Sequence, residues 1–395
     1  MLDALPEQAG KILTDRRDLK TTSLSENIQT ILRNGDISAP KLFWEMARLC
    51  WGRKAIKPAE YVNYRVYRQD LTWEEKRGFV GEERNYKMNL KLSPPETTQM
   101  RGFLNDKFAF GALCQQMGLA FAETQAMYSL DRFTGTLPSL SSADDIVEFL
   151  TTKAQFPIFG KPINKMQALG SARIDQVDAD TGTASLSNGD VVSMREMAEE
   201  IVADYPDGYA FQSVAEQHSE LTKRVGPALA TLRFVTVIED NHPYSLYSVW
   251  KLPGENAMAD NTWQPGSLMC GMNIESGAVE SCILGSGPGQ ESVDTHPITG
   301  EQITGFEIPY FEESKKLVET AHSIFPVNSM LGWDVGITED GPVLIECKHN
   351  PAHEFLQTVT GRPTLTPEMQ ATFDRVVKRT TRTIAGLKER LYTID

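Results

Sequence analysis

The sequence predicts an α+β fold with largely antiparallel sheets, on three observations. Helical and strand-like stretches are mixed along the middle of the chain in an order that suggests α+β layers. From Gly208 onward the chain is dense in β-branched and aromatic residues. Near its end "GWDVGITEDGPVLIECKHNPAHE", Gly332 to Glu354, reads as a hairpin with one acidic residue in each arm.

The elements follow in order. Residues 1–100 read as a mostly helical, charged N-terminal region, and 101–395 as a second unit. In "APKLFWEMARLCWG", Leu42, Phe43, Met46, Leu49 and Cys50 recur at helical spacing. The aromatics nearby (Trp44, Trp51, Tyr61, Tyr64, Tyr67) read as core or packing surface, and they make a homodimer interface plausible. Pro94-Pro95 breaks the chain. "NDKFAFGALCQQMG" is a helix with Asn105 as N-cap and Gly118 as its stop. A short strand is expected over Leu119 to Thr124. "SSADDIVEFLTTK" is a capped helix, "FPIFGKP" a strand, "ARIDQVDADTGTASLSNGDVVS" a polar hairpin and "MREMAEEIVADY" a helix. Three strands follow: "GYAFQSVAEQ", "TLRFVTVIED" and "PYSLYSVWKLP". "FEESKKLVETAHSIF" is a helix, the hairpin comes next, and "PEMQATFDRVVKRTTRTIAGLKERL" closes the chain as a long helix.

Composition bounds the function. At 395 residues the chain is long enough for two or three domain-sized units. A formal net charge of −14 argues against nucleic acid or an anionic membrane as the main partner. The five cysteines are scattered and show no metal-ligand spacing, so they read as reduced thiols of a cytoplasmic protein. The N-terminus has no apolar signal core, and no run of about 18 apolar residues is present to span a membrane.

The hairpin carries the first chemical question. With a three-residue turn, Glu339 to Gly341, Asp334 opposes Glu346 and their Cβ atoms lie about 5 Å apart. A two-residue turn would put them on opposite faces. Carboxylates that close repel unless a cation lies between them, and hard oxygen ligands suit Mg²⁺. The plain alternative is two solvated acids on a sheet face. Arg233, inside the apolar strand "TLRFVTV", also needs a partner: a structural ion pair, or an anionic ligand for its planar fork.

The order of motifs resembles the ATP-grasp superfamily, in particular its sugar-transfer-associated, alpha-L-glutamate ligase-related branch. The matching pieces are "NDKFAF", "FPIFGKP", "FQSVAEQH", "TLRFVTV", "ADNTWQPG", "THPITG" and "GWDVGITEDGPVLIE" with "NP" and "LQ" beyond, over roughly Asn105 to Gln357. The resemblance implies two α+β lobes that hold ATP between antiparallel sheets, about 130–212 for the central lid lobe and 213–395 for the C-terminal catalytic lobe. It implies that Lys107 and Lys161 reach the phosphates, with Lys165 and Ser171 in the lid. Gln212 and Val214 would contact the adenine. Asp334, Glu346 and Asn350 would be magnesium ligands, and Arg233 would meet the transferred phosphate or a substrate carboxylate. Asp260-Asn261 matches a pair near the substrate, and His218 and His296 match family positions.

Three departures stand out. The lid "INKMQALGSA" is glycine-poor, with only Gly170 and Ser171 where a glycine-rich loop is usual. The hinge reads Gln212-Ser213 instead of Gln-Glu. The usual acid-x-Asn spacing would put asparagine at 348, and this chain has Lys348, which faces the same way as Glu346 on an extended strand. An ammonium ligates no metal but can balance charge, so Lys348 joins Arg233 as a candidate catalytic residue. The implied function is an ATP-dependent carboxylate–amine ligase using ATP and Mg²⁺ on a small-molecule carboxylate and amine. The alternatives are a degenerate nucleotide-binding module and a phosphotransferase to a hydroxyl.

Overall fold

The computed structural model describes residues 11–13, 23–52, 56–93, 98–165, 168–255, 257–260 and 265–392. Where described, the N-terminal region is helical. Leu24–Arg33, Ala39–Met46, Pro58–Asn63, Trp73–Gly78 and Glu82–Leu92 are α-helices, and a π-helical turn, Ala47–Gly52, prolongs the second. Local sequence sets the starts. The Ser23 and Thr72 hydroxyls accept the amides of Glu26 and Glu75, whose carboxylates bond back to the cap. Leu42, Met46, Leu49 and Cys50 join Tyr61 and Tyr67 in a small core. Phe43, expected on the same apolar face, is 54% exposed. One helical step from Leu42 carries it past the edge of the buried stripe. Inside this core Lys76 donates to both oxygens of Glu45, at 2.9 and 2.8 Å, and Tyr61 donates to Glu45 at 2.6 Å.

Two boundaries differ from the sequence reading. Asp106, not Asn105, caps the helix Lys107–Gln116: its carboxylate accepts the amides of Phe108 and Ala109, while Asn105 ends the preceding helix, Thr98–Asn105. The strand expected from Leu119 starts at Thr124. The segment before it is bonded elsewhere, with Phe121 bridging Leu344 and the Leu344 amide donating to the Ala120 carbonyl.

Two seven-stranded sheets form the rest. The first contains β1 (Thr124–Tyr128), β2 (Ser139–Leu140), β3 (Ile158–Pro162), β4 (Ala172–Asp178), β5 (Thr183–Leu186), β6 (Val191–Ser193) and β7 (Tyr209–Ser213). Its order is β2-β1-β7-β3-β4-β5-β6, antiparallel except for the β1–β2 pair. The expected polar hairpin is thus a three-stranded meander, because "NGD" supplies a second turn between β5 and β6. Helices Ala143–Thr152 and Met194–Asp204, both capped by serine, cover this sheet through Phe149, Met197 and Ile201.

The second sheet contains β8 (Thr231–Ile238), β9 (Pro243–Leu252), β10 (Leu268–Met272), β11 (Val279–Leu284), β12 (Glu291–Ser292), β13 (Met330–Thr338) and β14 (Gly341–Lys348). Its order is β12-β11-β10-β9-β8-β13-β14, antiparallel throughout. β8 is buried at every residue, and β13 at every residue but Thr338. One face packs Leu232, Phe234, Trp250 and Trp333 against Phe110 and against Phe311 and Val318 of the helix Phe311–Ser323. The other face packs Val235, Val237, Val249 and Met330 against Val359, Phe373 and Val376 near the C-terminus. Along that second face the apolar core gives way to charged side chains.

Candidate functional site

The hairpin of β13 and β14 does bring Asp334 opposite Glu346, but by another route than the three-residue turn. Thr338 pairs with Gly341, so the turn has two residues, which alone would face Asp334 with Ile345. A β-bulge at Ile345 inserts one unpaired residue in β14 and restores the Asp334–Glu346 pairing. Val249, Arg233, Asp334 and Glu346 then oppose one another across β9, β8, β13 and β14. The next row on that face is Tyr247, Val235, Gly332 and Lys348. Gly332 has to be small: a Cβ there would lie 2.9 Å from Pro351 Cβ and 3.3 Å from Lys348 Cβ.

Each carboxylate of the pair is held by two cations. Arg233 Nε and Nη2 donate to Asp334 Oδ1 and Oδ2 at 2.6 and 2.8 Å. Lys251 Nζ lies 3.2 Å from Asp334 Oδ1 and 2.6 Å from Asp260 Oδ2. The Thr231 hydroxyl donates to that same Asp260 oxygen. Lys348 Nζ lies 2.6 Å from Glu346 Oε2. Lys107 Nζ lies 3.4 Å from Glu346 Oε1 and donates to the Lys165 carbonyl at 2.5 Å.

The charges follow from this packing. Burial alone would raise both carboxyls. Lys348 and Lys107 outweigh it at Glu346, which falls to about 2, and Arg233 with Lys251 holds Asp334 well below the usual carboxylate range. Burial opposes the Arg233 charge, yet Asp334 raises its pKa above the ordinary value. Lys161 is different. Burial, with Lys107 close by, brings it down to about 8, and among the described residues no ion pair or hydrogen bond engages its ammonium.

Two connected hollows between the sheets share Phe159, Lys161, Ala259, Asp260 and Ile345. The first is bounded by Gln212 to Ala215 and by Pro227 to Leu229. Here Gln212 donates to Thr124 Oγ1 at 3.0 Å, and Val214 follows along the wall. The second hollow contains Lys107, Lys165, Ser171, Arg233, Lys251, Asp334, Glu346, Lys348 and Asn350. The eleven residues expected to bind nucleotide or metal or to act in catalysis therefore line one cleft, and Asp260 lines it with them. Gly170, in the segment expected as a lid, is held by packing: Tyr209 donates to its carbonyl at 2.9 Å, and its φ of +76° and missing side chain leave room for Tyr205.

The three groups that the resemblance gives as magnesium ligands all have other partners. Asp334 is bidentate to Arg233, Glu346 is paired with Lys348 and Lys107, and Asn350 Oδ1 accepts from Asn89 at 2.6 Å. Among the described residues no cluster of three His, Cys, Asp or Glu is poised for a metal. With two fixed cations on each of Asp334 and Glu346, this donor set does not fit a pair of divalent ions. His218 and His296 lie outside the cleft lining and accept backbone amides, of Glu220 and Thr299. Asn261 falls outside the described residues.

Sequence reasoning missed Lys251 and Glu354. Lys251 is the penultimate residue of the strand, in the apolar run "SLYSVWKL", and the argument that singled out Arg233 applies to it equally. Glu354 lines the charged hollow, accepts from Tyr64 at 2.8 Å, and is raised above the usual carboxylate range, first by burial. The Phe355 ring next to it lies 5.3 Å from the Arg233 guanidinium. No local signal marks Glu354, because its partner comes from 290 residues away.

No described helix is long and apolar enough to cross a membrane. No curated protein matches the sequence. Solved structures resemble it at low identity. N5-carboxyaminoimidazole synthase from Aspergillus clavatus is 11% identical over 65% of this chain, with a TM-score of 0.36. L-amino acid ligase from Bacillus licheniformis is 12% identical over 64%, at 0.34. D-alanine-D-alanine ligase from Coxiella burnetii is 8% identical over 72%, at 0.39. The chain spans 47%, 42% and 60% of those three proteins. A family model, described as sugar-transfer associated ATP-grasp, matches residues 84–373. That match takes in both sheets and every residue of the cleft, and the chain belongs to the sugar-transfer associated ATP-grasp family.

Proposed function

We propose that the protein is an ATP-dependent carboxylate–amine ligase that acts on a small molecule through an acyl phosphate. The observation that carries this is the continuity of the cleft: the hinge wall at Gln212 to Ala215 leads directly into a hollow lined by six basic side chains. A nucleoside triphosphate has that polarity, with a flat base at one end and spread negative charge at the other. Lys107, Lys161, Lys165 and Ser171 bind the phosphates. Gln212 and Val214 contact the base. Arg233 gives Nε and Nη2 to Asp334 and has Nη1 left for an oxygen of the transferring phosphoryl group, where fixed cations lower the barrier most.

In the first step a substrate carboxylate oxygen attacks the γ-phosphorus and ADP leaves. In the second the amine nitrogen attacks the acyl carbon, phosphate leaves, and the amine gives up a proton. Glu354, raised by burial and steadied by Tyr64, is the group suited to take that proton. An ADP-release screen against pooled carboxylic and amino acids, with and without amines, tests the reading. ADP release that needs a carboxylate, with hydroxylamine trapping a hydroxamate, supports it. Turnover that yields no hydroxamate points to transfer to a hydroxyl and refutes it.

A further inference from the structure

Lys348 stands where the acid-x-Asn spacing would put asparagine, and its ammonium is bonded to Glu346 at 2.6 Å. The backbone is shaped to let it pass. Strand alternation puts Lys348 on the face of Glu346, and the missing side chain of Gly332 leaves room beside it. The other acid of the pair has both oxygens on Arg233 and one also near Lys251. A second divalent ion on this pair would have to sit against four fixed positive charges, Lys107 among them, with no oxygen free of a cationic partner to receive it.

Charge balance leads the same way. The charged hollow is lined by Lys107, Lys161, Lys165, Arg233, Lys251 and Lys348 against Asp260, Asp334, Glu346 and Glu354, an excess of two positive charges. A triphosphate brings about four negative charges. One divalent ion completes neutrality, and a second overshoots it.

We propose that the Lys348 ammonium occupies the place of one of two divalent ions, so that the cleft takes a nucleoside triphosphate with no more than one divalent cation. This rests on the nucleotide-binding reading above. Asp334 serves to hold Arg233 and Lys251, and Glu346 to hold Lys348 and Lys107.

The test uses the full chain with a non-hydrolysable ATP analogue. Calorimetry measures binding in EDTA and in Mg²⁺, and Mn²⁺ bound per nucleotide is counted by electron paramagnetic resonance. At most one Mn²⁺ per nucleotide is expected, with affinity in EDTA within about tenfold of that in Mg²⁺. Lys348→Asn is expected to admit a second Mn²⁺ and to weaken binding in EDTA by about tenfold or more. Two Mn²⁺ ions in the unsubstituted protein, or one in a folded Lys348→Asn variant that still binds nucleotide, overturns the proposal. Should that variant not fold, the count in the unsubstituted protein decides alone. Failure to bind nucleotide with or without metal is a different result, and it removes the nucleotide-binding reading together with the inference.

Discussion

Asp334→Asn separates an acid that waits for a metal from an acid that holds buried cations. The substitution keeps the shape and removes the charge. Arg233 and Asp334 have side chains only 7% and 8% exposed, and Lys251 only 6%. Breaking a buried pair from one side leaves the other side uncompensated and costs about 3–5 kcal/mol. Unfolding entropy near 2.1 cal/mol/K per residue, over 395 residues, turns that into a fall in Tm of about 4–6 °C. Differential scanning calorimetry in EDTA at pH 7, without nucleotide, reads it directly. Asp334 is lowered in the folded state, so its contribution is present above the unfolded pKa near 3.9 and is lost only as pH falls well below that. The deficit of the variant should therefore be constant from neutral pH down to about pH 4 and shrink below it. Arg233→Met with Asp334→Asn should cost less than the sum of the two single changes, by about 2 kcal/mol or more. An Asp334→Asn protein as stable as the original in EDTA, or more stable, would refute the reasoning, since an acid kept for a metal is a repulsive group when the metal is absent.

Other outcomes follow from the same geometry. Lys161 is lowered to about 8 and has no ion pair or hydrogen bond among the described residues, so ATP affinity should fall by up to about tenfold per pH unit above pH 8; isothermal titration across pH 7–10 checks this, and Lys161→Met should flatten the limb. Glu354→Gln should lower kcat/KM for the amine and leave hydroxamate formation with hydroxylamine largely intact, and equal loss in both assays would count against its role as base. Lys76→Met, which strands the buried carboxylate of Glu45, should destabilise the N-terminal core by about 3–5 kcal/mol in urea denaturation. His322 and His353, lowered to about 4 and 3 chiefly by burial, stay neutral in the fold, so stability should drop as pH falls below about 6.5, by about 2–3 kcal/mol at His322 by pH 4.

The parts legible in the sequence were those with short-range causes. Caps such as Ser142, the paired apolar strands around Arg233, and the acids in β13 and β14 all announce themselves within a few residues. The collinear motifs carried every cleft residue named from them into one cavity. Elements settled by distant partners were not legible. β10 reads "LMCGM", which has neither clear alternation nor β-branching, and only its pairing with β9 and β11 makes it a strand. The bulge at Ile345 is invisible locally, because nothing in "PVLIE" distinguishes it from a regular strand. Asn85 and Asn89, on the helix Glu82–Leu92, bond to the Pro351 carbonyl, and Asn89 also to Asn350, so the cleft floor rests on a part of the chain that reads as separate.

The hairpin has a consequence for mutational tolerance. Asp334 and Glu346 are separated by 335–345, and that count holds them face to face whether the surplus residue sits at the tip or at Ile345. The surplus works like slack in a belt, free to shift along the loop without moving the two pulleys. Shortening the tip by one residue can be absorbed if the bulge straightens, and a looser tip can be absorbed if the bulge moves out to it. Asp340 is therefore open to change in kind, whereas Glu339 is tied by the Ser219 amide at 2.6 Å, while the cations and acids stay aligned a few residues behind them.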